Sequence, residues 1–525
     1  MEMDSKLILA SGIKLDKSYT NVLSYNTTQM LSLVESKKEY EQWNYNNIDY
    51  DKGVIQVSTD YSVAIGCNYL AFQNPRHGNK WYFAFIDDVI FKSSNCCDVK
   101  FTIDVWATFY DNWTAKPCFV VREHVNNDTV GLHTVPETVT TGDYLITSSN
   151  VDQKLIDSKI ILSANIDPSG NQTYGGIYNG VPSGFRYYVY NINDTQGIRD
   201  HITQAQLHNG DINQLFIAPD MLAGTTVPSN HEITQTNTPV RGYTAVNDIT
   251  TLDTYVPKNS KLLTYPYCFY KLTNLQGQET ILHPELWKNY SITYNGTTYS
   301  GKLIELMGAL TAGCSIRVYP MSYSSDIEGG TVDYGINNAK YPQLNWSTDA
   351  YINWLTSQGI NQLAGTASNV FSNFPVAGGT APQTLQEQRA QRFSSGQDIG
   401  NFLASNYIAH ITPPSVEGNM NASDVMWCRG YSSIVLQTCT IKREFAKQID
   451  DYFSRFGYKI NETKTPNITG RTYWNFIEIG QDESIGYGTV PSKYMEIINN
   501  ACRQGVTIWH SHDNIGNFNL TNSIV

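Results

Sequence analysis

The feature that most constrains the fold is an alternation of apolar and polar side chains along one segment. The segment is "CDVKFTIDVWATFY" (97–110). Its apolar positions are Val99, Phe101, Ile103 and Val105, and its polar positions are Lys100, Thr102 and Asp104. A period of two places the two sets on opposite faces of a β-strand, one buried and one wet. The sequence therefore predicts a strand through this segment.

The neighbouring segments extend this strand into a sheet. "NKWYFAFIDDVIF" (79–91) and 97–110 flank the turn-forming residues "KSSN", an arrangement typical of a β-hairpin. "KPCFVVREHV" (116–125) predicts a third strand, and "NND" supplies the turn that follows it. Short strands interrupted by Gly, Asn and Pro are predicted to continue over 140–340. The first two thirds of the chain are therefore expected to be mainly β.

The C-terminal part predicts two amphipathic helices. The apolar stripes are Phe445, Ile449, Phe453 and Phe456 in "REFAKQIDDYFSRFGYK", and Tyr494, Ile497, Ile498 and Ala501 in "PSKYMEIINNACRQG". The first stripe stops at Gly457. The second has Pro491 near its start and Gly505 just past its end, the usual positions of these residues at helix ends.

Composition limits the classes of protein that this chain can belong to. Its 525 residues predict about two to four domains. The content of 12% aromatic and 16% charged residues suits strands and turns and is unlike a disordered chain. A net charge of −12 argues against a protein that binds nucleic-acid phosphates. Nine scattered cysteines without a C-x-x-C pair predict reduced thiols. We also expect no signal peptide and no conventional membrane-spanning helix.

One stretch, "VVREHVNNDTVGLHTVPET" (120–138), concentrates residue types that bind metals and move protons. The stretch contains two histidines, His124 and His133. Three carboxylates lie close to them in the sequence: Glu123, Asp128 and Glu137. The alternative to a metal or catalytic site is a polar turn whose side chains cap backbone groups and pair across strands. The turn is the favoured interpretation, because no third ligand follows at a recognisable metal-binding spacing.

A second histidine pair occurs in "WHSHDN" (509–514), where a strand would place His510 and His512 on one face and Asp513 on the other. Two histidines rarely make a metal site by themselves, so a structural role is again favoured. Motifs for a serine hydrolase, a phosphate-binding loop or a zinc protease are absent from the sequence. Acid pairs such as Asp87–Asp88 and Asp450–Asp451 are too common to indicate a glycosidase. We therefore predict no catalytic residue, no metal ligand and no cofactor.

From Ala350 to Gln386 the chain has 37 consecutive uncharged residues. Composition favours a flexible loop, but a lack of charge also suits a segment that enters a bilayer. The residues that would plug a channel or contact lipid are Trp354, Leu355, Ile360, Leu363, Val370, Phe371, Phe374 and Val376. Short helices are expected around 349–358 and 398–410. The whole insertion, 341–416, ends with "TPPS".

Three long strings resemble one protein family, the distal tail knob proteins of podoviruses, small short-tailed bacteriophages with protein-primed genomes. The first two are "FTIDVWATFYDNWTAKPCFVVREHVNNDTVGLHTVPE" (101–137) and "YPQLNWSTDAYINWL" (341–355). The third runs from "FAKQIDDYFSRFGYKINETKTPNITGRTYWNFIEIG" (445–480) through "VPSKYMEIINNACRQGVTIWHSHDN" (490–514). The region 145–340 resembles the family by position and strand character.

The resemblance implies a homo-hexameric ring at the end of a tail tube in the virion, assembled in the host cytoplasm. Viral double-stranded DNA would pass through its lumen without sequence-specific binding. Loops would plug the lumen until infection and then penetrate the host membrane. Other tail proteins, of the collar or tube and a distal lysin, are the implied partners. The family assigns no chemistry to the "REHV" string, and the insertion here is more polar after Glu387 than a fully apolar loop.

We predict a mainly β, multi-domain structural protein with C-terminal helices, and not an enzyme. The expected segments are a β tube-wall domain (1–145), middle β domains (146–340), the loop insertion (341–416) and an α+β region that completes the tube wall (417–525). The β-barrel-like tube domains would assemble into a ring. The alternative function is a tail-tip receptor-binding adhesin or a cell-wall glycan hydrolase.

Overall fold

The structure is a computed structural model. It describes residues 5–45, 48–50, 52–75, 78–152, 155, 157–173, 176–178, 181–183, 185–208, 210, 212–233, 240–274, 277–311, 313–323, 335–337, 341, 343–345 and 434–525. The chain divides into two compact units. The terminal unit comprises Met1–Thr141, Tyr255–Leu262 and Arg443–Val525, and the middle unit comprises Gly142–Thr254 and Leu263–Lys442. We call Tyr255–Leu262 the crossing segment, because it belongs to the terminal unit but lies within the sequence of the middle one. The expected four-segment division stays a prediction.

Secondary structure follows the chain in three blocks. The first contains β1 (Lys6–Ala10), β2 (Asn21–Leu23), α1 (Thr27–Ser36), β3 (Lys38–Trp43), β4 (Ile48–Asp49), β5 (Val54–Val57), α2 (Tyr61–Ile65), β6 (Tyr69–Gln73), β7 (Trp81–Ser93), β8 (Cys96–Ile103), α3 (Val105–Phe109), β9 (Trp113–Ala115) and β10 (Cys118–Glu123). A 3₁₀ turn at Tyr110–Asn112 follows α3.

The second block contains β11 (Tyr144–Val151), β12 (Ser158–Ala164), β13 (Gly176–Tyr178), β14 (Val181–Ser183), β15 (Arg186–Asn191), α4 (Thr195–Leu207), β16 (Ile212–Pro219), α5 (Asp220–Ala223), β17 (Val240–Val246), β18 (Cys268–Thr273), β19 (Glu279–Leu282), β20 (Tyr290–Tyr294), β21 (Thr297–Gly308), β22 (Ile316–Pro320), β23 (Ile336–Asn337), β24 (Gln343–Asn345) and β25 (Val435–Ile441). It also has 3₁₀ turns at Ser260–Leu263 and Pro284–Leu286.

The third block contains α6 (Arg443–Phe456), β26 (Tyr458–Lys464), β27 (Trp474–Ile479), β28 (Gly486–Gly488), α7 (Ser492–Gln504), β29 (Val506–Trp509) and a 3₁₀ turn at His512–Asn514. Both predicted C-terminal helices are present at the expected positions. Gly457 and Gly505 follow them with φ of +67° and +90°, a backbone region that favours glycine. The expectation of a mainly β, multi-domain fold with C-terminal helices is confirmed.

The terminal unit contains a seven-stranded sheet in the order β3-β1-β6-β7-β8-β5-β4. The predicted hairpin is confirmed as β7–β8. Val99 and Phe101 are buried there, whereas Lys100 and Thr102 are exposed. The strand prediction beyond Ile103 is wrong: Asp104 caps α3 by accepting a hydrogen bond from the backbone N–H of Ala107 at 3.1 Å. Such a cap stabilises the first turn of a helix, and all five residues of α3 are buried.

A second sheet of the terminal unit joins the two ends of the chain. Its order is β2-β29-β27-β10-β26, with β2 and β29 parallel. The predicted third strand is present as β10, and its neighbours are β26 and β27 from the third block. One core of this unit contains Trp474 and Trp509, both fully buried, beside Met30 and Phe85. N-terminal and C-terminal residues therefore share one hydrophobic core.

The described part of the middle unit is built on three larger sheets, with the helices α4 and α5. The sheet orders are β11-β25-β18-β19, β15-β12-β16-β24 and β17-β21-β22-β23, with β20 paired to β21. Their shared core is mainly aliphatic. The expectation of strands alone over 140–340 missed α4, which is capped by Asp194 and buries Ile198, Ile202 and Ala205. That helical spacing, preceded by a capping residue, was the available signal.

Candidate functional site

The stretch 120–138 lies in the terminal unit beside the crossing segment and the end of α6. Asp450 on α6 is fully buried and contacts the crossing segment. Asp450 Oδ2 accepts hydrogen bonds of 2.7 Å from the Tyr255 hydroxyl and from the backbone N–H of Lys258. Oδ1 accepts from the side-chain amide of Asn259 at 2.7 Å and from its backbone N–H at 3.1 Å. One carboxylate therefore fixes three residues of the crossing segment.

Asp128 is the second carboxylate that holds the crossing segment. Its Oδ2 accepts from the backbone N–H of Ser260 at 2.9 Å, and its Oδ1 accepts from the Tyr458 hydroxyl at 2.6 Å. Because Tyr458 opens β26, Asp128 joins the crossing segment to the strand that pairs with β10. The acidic turn is therefore a structural connection between distant parts of the chain.

Glu137 is the third carboxylate, and its side chain is fully buried. Its Oε1 accepts from Lys261 Nζ at 2.6 Å and from the backbone N–H of Lys459 at 2.8 Å, and Arg122 donates to its Oε2. Burial alone raises the pKa of Glu137, but Lys261, the Lys459 N–H and Arg122 together outweigh burial, and the pKa lies below its ordinary value. We refer to Asp128, Glu137 and Asp450 as the carboxylate clamp.

His124 is buried and both of its ring nitrogens are engaged by the backbone. Nδ1 accepts from the N–H of Phe476 at 2.8 Å, so Nε2 carries the proton and donates to the carbonyl of Ser454 at 3.2 Å. Burial, followed by the charges of Arg471 and Arg122, lowers the pKa of His124 to about 3. A neutral imidazole with both nitrogens occupied offers a metal no lone pair.

His133 lies apart from this arrangement. Its Nε2 is 2.8 Å from the carbonyl of Asn127, and its ring packs against Tyr458 with the centroids 5.8 Å apart. Within the described parts of the chain, no group of three His, Cys, Asp or Glu side chains could hold a metal ion. In 120–138, the geometry consists of backbone capping and ion pairing by polar side chains.

The second histidine pair differs from the geometry expected of it. β29 ends at Trp509, and His512 begins a 3₁₀ turn, so the prediction that His510 and His512 share one face of a strand is wrong. The ring of His510 contacts Ser24 Oγ at 2.8 Å, and the Nε2 of His512 accepts from the backbone N–H of Lys14 at 3.1 Å. Asp513 does not point away, since its Oδ1 is 3.5 Å from His512 Nδ1. These contacts draw the chain out of the strand and onto the N-terminal block.

A polar cavity of about 380 Å³ adjoins the clamp in the terminal unit. The residues that line it are His124, Asp128, Lys258, Asn259, Asp451, Ser454, Arg455, Arg471 and 518–524. Lining groups of both signs and several amides make this space suitable for ordered water. Asp451 is exposed, with its Oδ1 3.8 Å from Lys258 Nζ. Both carboxylate oxygens of its neighbour Asp450 already accept hydrogen bonds from the crossing segment. The two therefore do not form a pair of available catalytic carboxylates.

The insertion and its named residues lie almost wholly outside the described residues. This holds for all of Trp354, Leu355, Ile360, Leu363, Val370, Phe371, Phe374 and Val376, and for the helices expected around 349–358 and 398–410. Among the helices that are described, none has the length and apolar character needed to cross a membrane. The eight described cysteines are all free thiols.

The middle unit presents a long sheet edge that sequence reasoning did not single out. β11, "YLITSSNV", has eight residues without a charge or a proline. Among the described strands it pairs with β25 alone and forms the edge of its sheet. Ile146 is 55% exposed on it. Long, uncharged edge strands are sites of strand-to-strand association between chains, which soluble monomers normally avoid.

Two family models match this chain. Residues 232–523 match the C-terminal domain of tail knob protein gp9 of Bacillus phage phi29. Residues 3–114 match the N-terminus of the caudoviral major tail protein. The first match spans more than half of the chain.

Individual relatives agree with these models. The chain is 25% identical to tail knob protein gp9 of Bacillus phage phi29 and 24% identical to that of Bacillus phage PZA, with 90% of each chain covered in both cases. The tail knob protein gp12 of bacteriophage C1 has a similar fold, with a TM-score of 0.63 and 14% identity. That alignment covers 99% of this chain and 100% of the other.

Proposed function

The chain belongs to the family of the phi29 tail knob protein gp9, and on that premise we propose that it forms a closed homo-oligomeric ring at the end of a phage tail. It is a structural component of the tail, and we propose that six copies surround a lumen through which viral DNA leaves the virion. Other tail proteins would contact the ring from the tube side and at the distal end. We propose no catalytic role.

The observation that carries the ring proposal is the uncharged edge strand β11. An open edge of eight residues would favour aggregation of a soluble monomer. Closing a ring uses the edge of every copy and leaves none exposed. The other strand edges of comparable length carry charges, as in the "KEYEQW" of β3 and the "YKINETK" of β26.

A charge introduced on β11 tests this interface. Ile146→Lys places an ammonium group on the edge, and we expect it to convert rings into smaller species in light scattering and negative-stain images. Ile65→Lys on α2 is the matched control, since Ile65 is also 55% exposed. A wild-type protein that stays monomeric at micromolar concentration contradicts the ring. Rings that persist in Ile146→Lys contradict the role of β11.

The charge of the chain supports a lumen that lets DNA pass without holding it. At −12 per chain, six chains carry −72, and the basic residues are dispersed along the sequence. We expect intact rings to show no tight binding of duplex DNA at low salt. Binding that weakens steeply with salt would reveal a continuous basic belt and would overturn this proposal.

The insertion, 341–416, is proposed to plug the lumen and then to enter the host membrane. Support comes from the sequence alone: 350–386 lacks charge, and Trp354, Phe371 and Phe374 suit a membrane interface. Dye release from liposomes at acidic and neutral pH should require this segment. The comparison is between the full chain and a variant in which a Gly/Ser linker replaces 350–386. Equal leakage, or none, would reduce the insertion to a plug.

A further inference from the structure

The middle unit contains an apolar cavity of about 300 Å³ between two of its sheets. One wall comes from the sheet that contains β11, β18 and β25, and the other from the sheet that contains β17, β21 and β22. The residues that line it are Asn150, Val151, Asp152, Leu155, Thr244, Ala245, Val246, Leu272, Ile304, Leu306, Val318, Ile434 and Leu436.

Most of the residues that line this cavity are aliphatic. Leu272 and Val318 are each 1% exposed, and Leu306 is 2% exposed. No aromatic ring is among the described residues that line it. Water needs at least two polar partners to occupy a cavity, and branched aliphatic walls supply none. Protein interiors are otherwise close-packed, so a space of this size with apolar walls has room for an apolar ligand.

The polar groups of the cavity lie at one end. Asn150 and Ala245 are exposed and mark where the cavity reaches the surface. Beside them the Thr244 hydroxyl donates a hydrogen bond to Oδ2 of Asp152. None of the described lining residues is a cation that would bind a carboxylate or phosphate headgroup; the one charged side chain is that of Asp152. The mouth therefore suits a hydroxyl-bearing or otherwise nonionic group.

We propose that this cavity is a binding site for one unbranched aliphatic chain that ends in a nonionic polar group. An engineered cavity of about 150 Å³ with similar walls holds a benzene molecule, so this one has room for roughly ten to twelve carbons. Strongly polar ligands are disfavoured because the aliphatic side chains of the two facing walls offer them no hydrogen bonds. All of the described lining residues belong to one chain, and two of them, Asn150 and Val151, lie on β11, the edge strand of the proposed ring.

The probe for this site is n-octyl-β-D-glucoside, titrated into the full-length protein below its micelle concentration and followed by calorimetry. We expect saturable binding of about one molecule per chain. Leu436→Phe fills the cavity and should weaken binding at least tenfold, while Leu207→Phe, at a position 68% exposed on α4, should leave it unchanged. Val318→Phe fills the cavity from the opposite wall and serves if Leu436→Phe does not fold.

A second ligand with the same aliphatic tail tests the preference for a nonionic headgroup. Octanoate at pH 8 presents the same tail with a carboxylate, and we expect it to bind at least fivefold more weakly than the glucoside. Equal binding of octanoate would overturn the nonionic headgroup. Absence of saturable glucoside binding, or unchanged binding in both Phe variants, would overturn the site itself. Because Asn150 and Val151 lie on β11, the titration is repeated with Ile146→Lys, in which ring contacts at this strand are expected to be lost.

Discussion

The two units of this protein solve the burial of their cores in different ways. The terminal unit assembles three separated chain segments, and buried carboxylates hold one of them: Glu137 is fully buried between Arg122 and Lys261. The middle unit is nearly continuous in sequence and surrounds a large aliphatic core. Its ion pair Lys159–Asp220, with side chains 10% and 11% exposed, joins strand β12 to helix α5 of the same unit.

The difference shows what each kind of contact does. Apolar burial is nondirectional and stabilises any compact arrangement. It is sufficient to hold a unit together where segments that are close in sequence are also close in space. A short polar segment such as Tyr255–Leu262 brings little apolar surface, so its position depends on directional hydrogen bonds. A clamp of this kind is costly when one member is removed, because its partners remain buried. The predictions below test this contrast.

The largest effect is expected at Asp450. Asp450→Ala leaves the Tyr255 hydroxyl, the Lys258 N–H and the Asn259 groups without their acceptor. At about 1–3 kcal/mol for each buried donor, we expect the terminal unit to lose about 3–5 kcal/mol of unfolding free energy. Hydrogen exchange should show peptides from 255–262 and the terminal unit losing protection, while those of the middle unit keep theirs.

Asp451→Ala is the matched control for this prediction. Asp451 is the next residue on α6, and its pairing with Lys258 is exposed on both sides, with 60% and 63% of the side chains accessible. Exposed pairs contribute at most about 1 kcal/mol, so the change should be small. If Asp450→Ala is as mild as Asp451→Ala, the clamp does not hold the crossing segment.

How much of this contrast could be predicted from sequence depends on the range of the signal. The hairpin β7–β8 and helices α6 and α7 follow from local periodicity, and α4 was available from its Asp194 cap and its spacing. The clamp was not available, because it joins Asp128 and Glu137 to residues more than a hundred positions away. The local signal for the clamp is Asp450, an acidic residue that lies on the buried side of α6, three residues before Phe453.

Acid is expected to weaken both units through buried neutral histidines. In the middle unit, His201 is fully buried, with Nδ1 2.7 Å from the Tyr190 hydroxyl and Nε2 2.8 Å from the Ile166 carbonyl. Burial lowers its pKa from 6.5 to about 4. Below pH 6.5 His201 is protonated in the unfolded chain but stays neutral in the folded one. The free energy of unfolding therefore falls with pH until about pH 4. The loss is on the order of 3 kcal/mol.

Variants should separate the two histidines by unit. His201→Gln should flatten the pH dependence of the middle unit between pH 6.5 and 4, and leave the terminal unit unchanged. His124→Gln should do the reverse, because the pKa of His124 is lowered to about 3. Hydrogen exchange measured across this pH range, peptide by peptide, is the test. A slope in the middle unit that survives in His201→Gln would assign the acid effect to other groups.

The smallest effect compares the two cavities by filling each of them. Val318→Ile adds one methylene group to the apolar cavity of the middle unit, and we expect a gain of about 0.5–1 kcal/mol. Ser454→Val adds a similar volume beside the polar cavity of the terminal unit but removes the hydroxyl that accepts from Asn259 Nδ2 at 2.8 Å. A loss of about 1 kcal/mol is expected there. Opposite signs in denaturant titrations follow only if one space is apolar and the other polar. Stabilisation by both variants would contradict this contrast, because it would show that the terminal cavity accepts an apolar side chain as readily as the middle cavity does.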